Sequence, residues 1–147
     1  MNKTIAILMG LQGSGKSTFY KTYLSDNFVH VNLDTLKTRH QEKLLIEECL
    51  SNEASYAIDN TNPTRLDRER YIPIAKKAGY RIVGYFLESK IMYCMQRNAL
   101  RKGRARVPEK AIAATFNKLE IPSYNEGFDE LYFVKNDGVT MTIQEWK

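Results

Sequence analysis

The sequence has only two cysteines, four prolines and one tryptophan, and no apolar run approaching the roughly twenty residues that a membrane span needs. Cys49 and Cys94 fall inside helix-like patterns without metal-ligand spacing, which speaks against a disulfide or a zinc site and predicts buried, reduced thiols. The first residues, MNKTIAILMG, carry neither the apolar stretch nor the small-residue cleavage site of a signal peptide, so a cytoplasmic location is expected, with no membrane contact. No repeat, low-complexity tract or Pro/Gly/Ser linker divides the chain. Its 147 residues, 43% of them hydrophobic, suffice for one ordinary core but not two, and a single domain over 1–147 is expected. Lys and Arg number 22 against 17 acids, a formal charge of +5 that suits a polyanionic partner or any enzyme that handles phosphate.

What is present is an alternation. Apolar, β-rich runs recur at TIAILM, FVHVN, SYAIDN, RIVGYFL and ELYFV, separated by segments long enough for crossover helices. That order predicts an α/β fold with a mostly parallel five-stranded sheet covered by helices on both faces. The helices are expected near Gly15–Ser25, Thr35–Ser51, Pro63–Ala78, Ser89–Lys102 and Pro108–Leu119, with Asp34 capping the second and Pro63 in the first turn of the third. In NDGVTMTIQEW the Asp137-Gly138 pair between extended runs predicts a terminal hairpin. Ligands of open α/β sheets bind beyond the carboxyl ends of the strands, so the polar residues there are the first candidates.

After the first strand, Gly10-Leu-Gln12-Gly13-Ser14-Gly15-Lys16-Ser17 matches G-x-x-x-x-G-K-[ST] in full, and Thr18 follows. Glycines let successive backbone amides turn inward on phosphate oxygens, where a Cβ would obstruct. The motif assigns Lys16 to the β- and γ-phosphates of a nucleoside triphosphate and the Ser17 hydroxyl to Mg²⁺. Together these give a P-loop NTPase fold with ATP as the expected donor, GTP remaining open although no N-K-x-D guanine motif occurs: VKND at 134–137 has another order.

The acceptor has to be sought at the other strand ends. Asp34, after Val31-Asn32-Leu33, could take a proton from an attacking hydroxyl, or could merely cap a helix, since aspartate is favoured there. Lys37 and Arg39 follow near the start of that helix, an unfavourable place for cations unless an anion lies close by. In AIDNTNPTR, Asp59 could hold a metal-bound water or orient a basic side chain, while Asn60 and Asn62 could bind substrate or simply build turns.

Read together, GLQGSGKST, VNLDTLKTR, AIDNTNP and RNALRKGRARVP resemble, in order and spacing, the kinase domain of the polynucleotide 5′-hydroxyl kinase family, over about Ile5 to Phe133. The resemblance implies that Asp34 is the general base on a 5′-hydroxyl and that Asp59 belongs to the acceptor site. It also shows a departure. Phage-type members carry an arginine at the position of Lys37, which touches the acceptor phosphate, and a lysine there cannot form the bidentate fork; Arg39 is a second candidate for that contact. Nothing in the 147 residues corresponds to the phosphatase module of several members.

The segment SKIMYCMQRNALRKGRARVP places Arg97 and Arg101 four apart on one helical face, with Lys102, Arg104 and Arg106 crowding a loop around Gly103. Related kinases carry arginines in a lid at this place, and Arg101 matches best by position; Arg97 and Arg104 are further nucleotide contacts. A solvated helix end would also collect cations. Arg65, Arg68, Arg70, Lys76, Lys77 and Arg81 alternate with acids and are expected on the solvated surface, and His30 and His40 in packing or surface roles. The expectation is a Mg²⁺- and ATP-dependent kinase acting on a hydroxyl, with a nucleic-acid 5′ end as acceptor. A small-molecule acceptor (nucleoside, sugar or antibiotic) and a nucleotide-dependent switch without transfer activity are the alternatives.

Overall fold

The computed structural model describes residues 3–146. Six strands form one sheet in the order β2-β3-β1-β4-β5-β6: β1 Thr4–Met9, β2 Val29–Val31, β3 Tyr56–Asp59, β4 Arg81–Leu87, β5 Glu130–Asn136 and β6 Met141–Glu145. The first five run parallel and β6 returns antiparallel to β5. The expected terminal hairpin therefore does not stand apart. It adds a sixth strand to the sheet, through a turn in which Asp137 N–H donates to the Thr140 carbonyl at 3.3 Å.

Central strand β1 shows why the sheet has two covered faces. Ile5, Ile7 and Met9 join one apolar cluster with Ile58, Tyr71, Ile72, Ile82 and Leu131, whereas Ala6 and Leu8 join another with Phe19, Leu24, Leu87 and Val134. Successive side chains of a strand point to opposite faces, so a strand buried on both reads as one continuous apolar run. Because β1 is flanked by β3 and β4, the chain's connections diverge on either side of it, and a crevice opens there at the carboxyl ends of the strands.

The helices are shorter than the sequence pattern predicts. The first, α1 (Lys16–Phe19), runs into a π-turn at Tyr20–Leu24. The second breaks into α2 (Leu33–Leu36) and α3 (Arg39–Ser51), because Lys37 adopts φ 77° and cannot continue a right-handed helix. Asn32, not Asp34, caps α2: its side-chain oxygen accepts from Thr35 N–H at 3.1 Å, and Asp34 lies inside the first turn. The third breaks into α4 (Arg65–Arg68), closed by a Thr64/Asp67 capping box, and α5 (Ile72–Lys77). Pro63 precedes that cap, and Pro73 is the proline that occupies a first turn. Helices α6 (Ile91–Ala99) and α7 (Glu109–Lys118) flank the arginine-rich segment.

Arg68 corrects the surface expectation. It is fully buried, with Nε and one terminal nitrogen donating to Glu126 at 2.8 and 3.1 Å and the other terminal nitrogen donating to the Asn62 and Glu120 carbonyls. Both cysteines are buried and unpaired, as expected. No helix among the described residues is long and apolar enough to cross a membrane.

Candidate functional site

The loop after β1 closes over the crevice. Gly10 N–H donates to the Thr61 carbonyl at 3.1 Å and Leu11 N–H to Ser89 Oγ at 3.1 Å, which ties the start of the loop to the ends of β3 and β4. From the other side Arg97 donates to the Gly13 carbonyl at 2.8 Å and Asn136 Nδ2 to the Ser14 carbonyl at 3.0 Å. Gly13 sits at φ 83°, and a Cβ there would lie 2.5 Å from the Cys94 carbonyl oxygen, so only glycine lets α6 pack under the loop. Among the described residues, the backbone amides of Gly13, Gly15, Lys16 and Ser17 have no partner within the protein. The Ser14 hydroxyl is buried and unpaired as well. An empty set of inward donors at this place fits a bound polyphosphate.

Lys16 is folded back into this cradle. Its Nζ donates to the Gly10 and Leu11 carbonyls at 3.0 and 2.8 Å, and burial pushes its pKa down to about 8, partly offset by the Asp59 carboxylate and reinforced by the Arg101 guanidinium. Ser17 Oγ donates to Asp59 Oδ2 at 2.8 Å. Asp59, only 2% exposed, also has His30 Nε2 at 2.7 Å, with the imidazole stacked on Tyr20 at 4.0 Å between centroids. A hydroxyl and a carboxylate side by side are hard oxygen ligands of the kind Mg²⁺ takes. Among the described residues no group of three or more His, Cys, Asp or Glu side chains gathers to hold a metal, so a cation here would share its coordination with phosphate and water.

In front of the loop lies a cleft of about 270 Å³ whose lining includes Gln12, Lys16, Ser17, Asp34, Asp59, Asn60 and Arg101. Asp34 is exposed on α2, and Arg101, just beyond α6, holds the Ala105 carbonyl at 3.3 Å. A second cleft of about 500 Å³ opens behind the loop, between Gly15, Thr18 and Tyr23 on one side and Arg97, Asn136 and the Gly138–Met141 hairpin on the other.

Not every candidate from the sequence meets in the first cleft. Thr18 and Arg97 belong to the second. Asn62 is buried, and its Nδ2 donates to the Leu8 carbonyl at 2.7 Å, which makes it a brace between β1 and the turn after β3. Asn60 lines the cleft while fixing its surroundings: Oδ1 accepts from Leu33 N–H at 3.0 Å and Nδ2 donates to Glu42 at 3.0 Å. Arg39 turns away to Glu42 and the Tyr71 hydroxyl, both at 2.9 Å, and Lys37 stands exposed one turn past Asp34. The side chain of Arg104 lies outside the described residues. Sequence reasoning passed over Asn136, Thr115 and Asn32 and gave His30 no part in the site. Asn32 Nδ2 donates to the Asp59 carbonyl at 2.6 Å. Asn32 opens the N-x-D-T-L stretch, where the reading went to Asp34; the other three carry no local motif and are known only by what they reach across the fold.

The sequence pattern of the AAA domain family matches residues 38–122. The chain is 32% identical over 137 residues to a putative bifunctional polynucleotide phosphatase/kinase of Acanthamoeba polyphaga mimivirus, a match that takes in 88% of this chain and 32% of that protein. It is 31% identical over 131 residues to the bifunctional polynucleotide phosphatase/kinase of Schizosaccharomyces pombe, covering 86% and 32%. The chain thus spans about a third of the length of these curated relatives. Among solved structures, a gluconokinase from Sinorhizobium meliloti 1021 superposes with a TM-score of 0.60 at 17% identity, over 90% of this chain and 82% of that one, a likeness of fold.

Proposed function

This chain belongs to the AAA domain family, and from that membership and the shape of its cleft we propose that it is an ATP-dependent kinase that phosphorylates the 5′-hydroxyl of a DNA or RNA end. The observation that carries this reading is the meeting of Asp34 and Arg101 in the same cleft as Lys16, Ser17 and Asp59. A switch protein needs the last three; an acceptor base is required only for transfer.

On this reading the free amides of the loop hold the triphosphate, and the second cleft, beside Thr18, Arg97 and Asn136, takes its nucleoside. Lys16 leaves the Gly10 and Leu11 carbonyls for the β- and γ-phosphates, whose charge raises its lowered pKa and favours the ammonium form. Mg²⁺, held by Ser17 and through water by Asp59, would neutralise charge on the same phosphates. The acceptor oxygen bonds to the γ-phosphorus as the bond to the β,γ-bridging oxygen breaks; ADP leaves with that electron pair and the hydroxyl proton passes to the Asp34 carboxylate. Arg101 closes on the equatorial oxygens. Lys37, one turn beyond Asp34, meets the acceptor's next phosphate, and Arg39 holds Glu42, which in turn holds Asn60 at the cleft wall. The identity to two polynucleotide phosphatase/kinases supports the nucleic-acid acceptor.

The second reading is a small-molecule acceptor, favoured by the size of the cleft, about 270 Å³, close to that of ordinary metabolite sites. Transfer of label from γ-labelled ATP decides between them, with 5′-hydroxyl DNA and RNA oligonucleotides run beside nucleosides and sugars. Labelled oligonucleotides are expected. Label on a metabolite but on neither nucleic acid would replace the first reading with the second.

A further inference from the structure

Gln12, at the tip of the phosphate loop, reaches toward α7 with its side-chain amide. Its Nε2 donates to Thr115 Oγ1 on α7 at 3.2 Å. The Thr115 hydroxyl donates in turn to the Ala111 carbonyl at 2.9 Å, so in this arrangement Thr115 accepts from Gln12. Gln12 Oε1 is therefore left as an acceptor, and it is buried with no partner. An unpaired buried amide oxygen is a cost that native structures keep only for a reason.

Phosphate cannot satisfy this oxygen, because both are acceptors; the missing partner is a donor. Among the described residues, two cationic side chains line the same cleft as Gln12. Lys16 is engaged by two carbonyls, whereas Arg101 makes one long bond, to the Ala105 carbonyl at 3.3 Å, out of the five donors a guanidinium offers. Arg101 lies close enough to Lys16 to disfavour its charge. We propose that Gln12 is a positioning residue for Arg101: when nucleotide binds and the lid closes, the guanidinium bridges the phosphate oxygens and Gln12 Oε1, so that the loop which holds the donor also aims the arginine. The inference rests on the lid role of Arg101 in the proposed kinase reaction. It adds that the glutamine, through Thr115, ties that closed position to α7.

The test uses the full chain with Mg²⁺ and a non-hydrolysable ATP analogue, and reads the lid without turnover. Trypsin cuts after Arg101, Lys102, Arg104 and Arg106; the analogue is expected to slow these cuts in the wild type and not in Gln12→Met, which keeps the length of the side chain but lacks the acceptor. Analogue affinity should change by less than about threefold in Gln12→Met, and turnover should fall about tenfold, whereas adding Gln12→Met to Arg101→Ala should cause no further fall, since misplacing a group already absent has no effect. Thr115→Val, which removes the partner of Nε2 but leaves Oε1, should keep the protection. Retained protection in Gln12→Met, or effects of Gln12→Met and Arg101→Ala that multiply, would overturn the proposal. Wild type that binds the analogue without protection would overturn it too, while leaving the kinase reading intact; wild type that does not bind the analogue would bring down both.

Discussion

On one wall of the cleft Lys16 and Asp59 are 9% and 2% exposed, and bonds from the ends of β3, β4, β5 and α6 hold the loop that carries Lys16. On the facing wall Asp34 stands in solvent on a four-residue helix that follows a three-residue edge strand, and Lys37 is exposed just beyond that helix. The backbone of the first wall is tied down on every side, so that phosphates need only draw Lys16 off its carbonyls; the second wall is left to be completed by its ligand. A triphosphate has fixed geometry and can be met by a rigid cradle, whereas a strand end that must enter, react and leave is better served by groups that remain solvated until it comes.

The comparison breaks most sharply at Asp34. Asp34→Asn keeps the shape and an exposed position but cannot take a proton, so turnover should fall between about a hundredfold and ten-thousandfold while nucleotide affinity stays within about twofold. Single-turnover kinetics beside equilibrium nucleotide binding separates the two. A parallel loss of nucleotide affinity would mean that the acceptor wall also builds the donor site.

The buried wall makes its own prediction through Lys16. Its pKa in the folded protein, about 8, lies below the ordinary lysine value of 10.5, so the unfolded chain binds more protons between these values. The stability contributed by this group is therefore present above pH 10.5 and lost as pH falls through 8. Between the two, the wild type should gain up to about 1.4 kcal/mol per pH unit relative to Lys16→Met, read from urea midpoints. Saturating Mg²⁺ and nucleotide should flatten that slope in the wild type, because phosphate charge stabilises the protonated lysine. A slope that survives nucleotide would mean that Lys16 stays on the Gly10 and Leu11 carbonyls.

The same contrast decides what could be read in advance. The five parallel strands and the loop are legible because apolar alternation and G-x-x-x-x-G-K-[ST] are local patterns in which every residue is needed at its spacing. The sixth strand shows as a hairpin signal without its address. Breaks at Lys37 and after Arg68 were hidden: a lysine at positive φ carries no mark in the sequence, and Arg68 sits among alternating charges that read as a solvated face until Glu126, 58 residues on, is brought to it. Asn136 escaped for the same reason, since its partner Ser14 is 122 residues away. Arg39 and Asn62 looked like substrate contacts because an exposed-looking polar residue beside a strand end is ambiguous. The fold commits one to Glu42 and Tyr71 and the other to the Leu8 carbonyl.

Lys37 offers the mildest test. At φ 77° it occupies backbone that side chains disfavour, and arginine would bear the same strain, so Lys37→Arg changes the head group alone. A guanidinium can grip a phosphate with two parallel bonds where an ammonium acts as a point charge, and at an exposed position the gain is small. The KM for a 5′-hydroxyl oligonucleotide should fall about two- to fivefold, with no change for a nucleoside acceptor that lacks the next phosphate and none in nucleotide affinity. An equal change for both acceptors would mean that residue 37 acts on the reacting sugar or on the shape of α2. A change confined to the oligonucleotide would locate the strand's first phosphate one turn from Asp34, on the wall that its ligand completes.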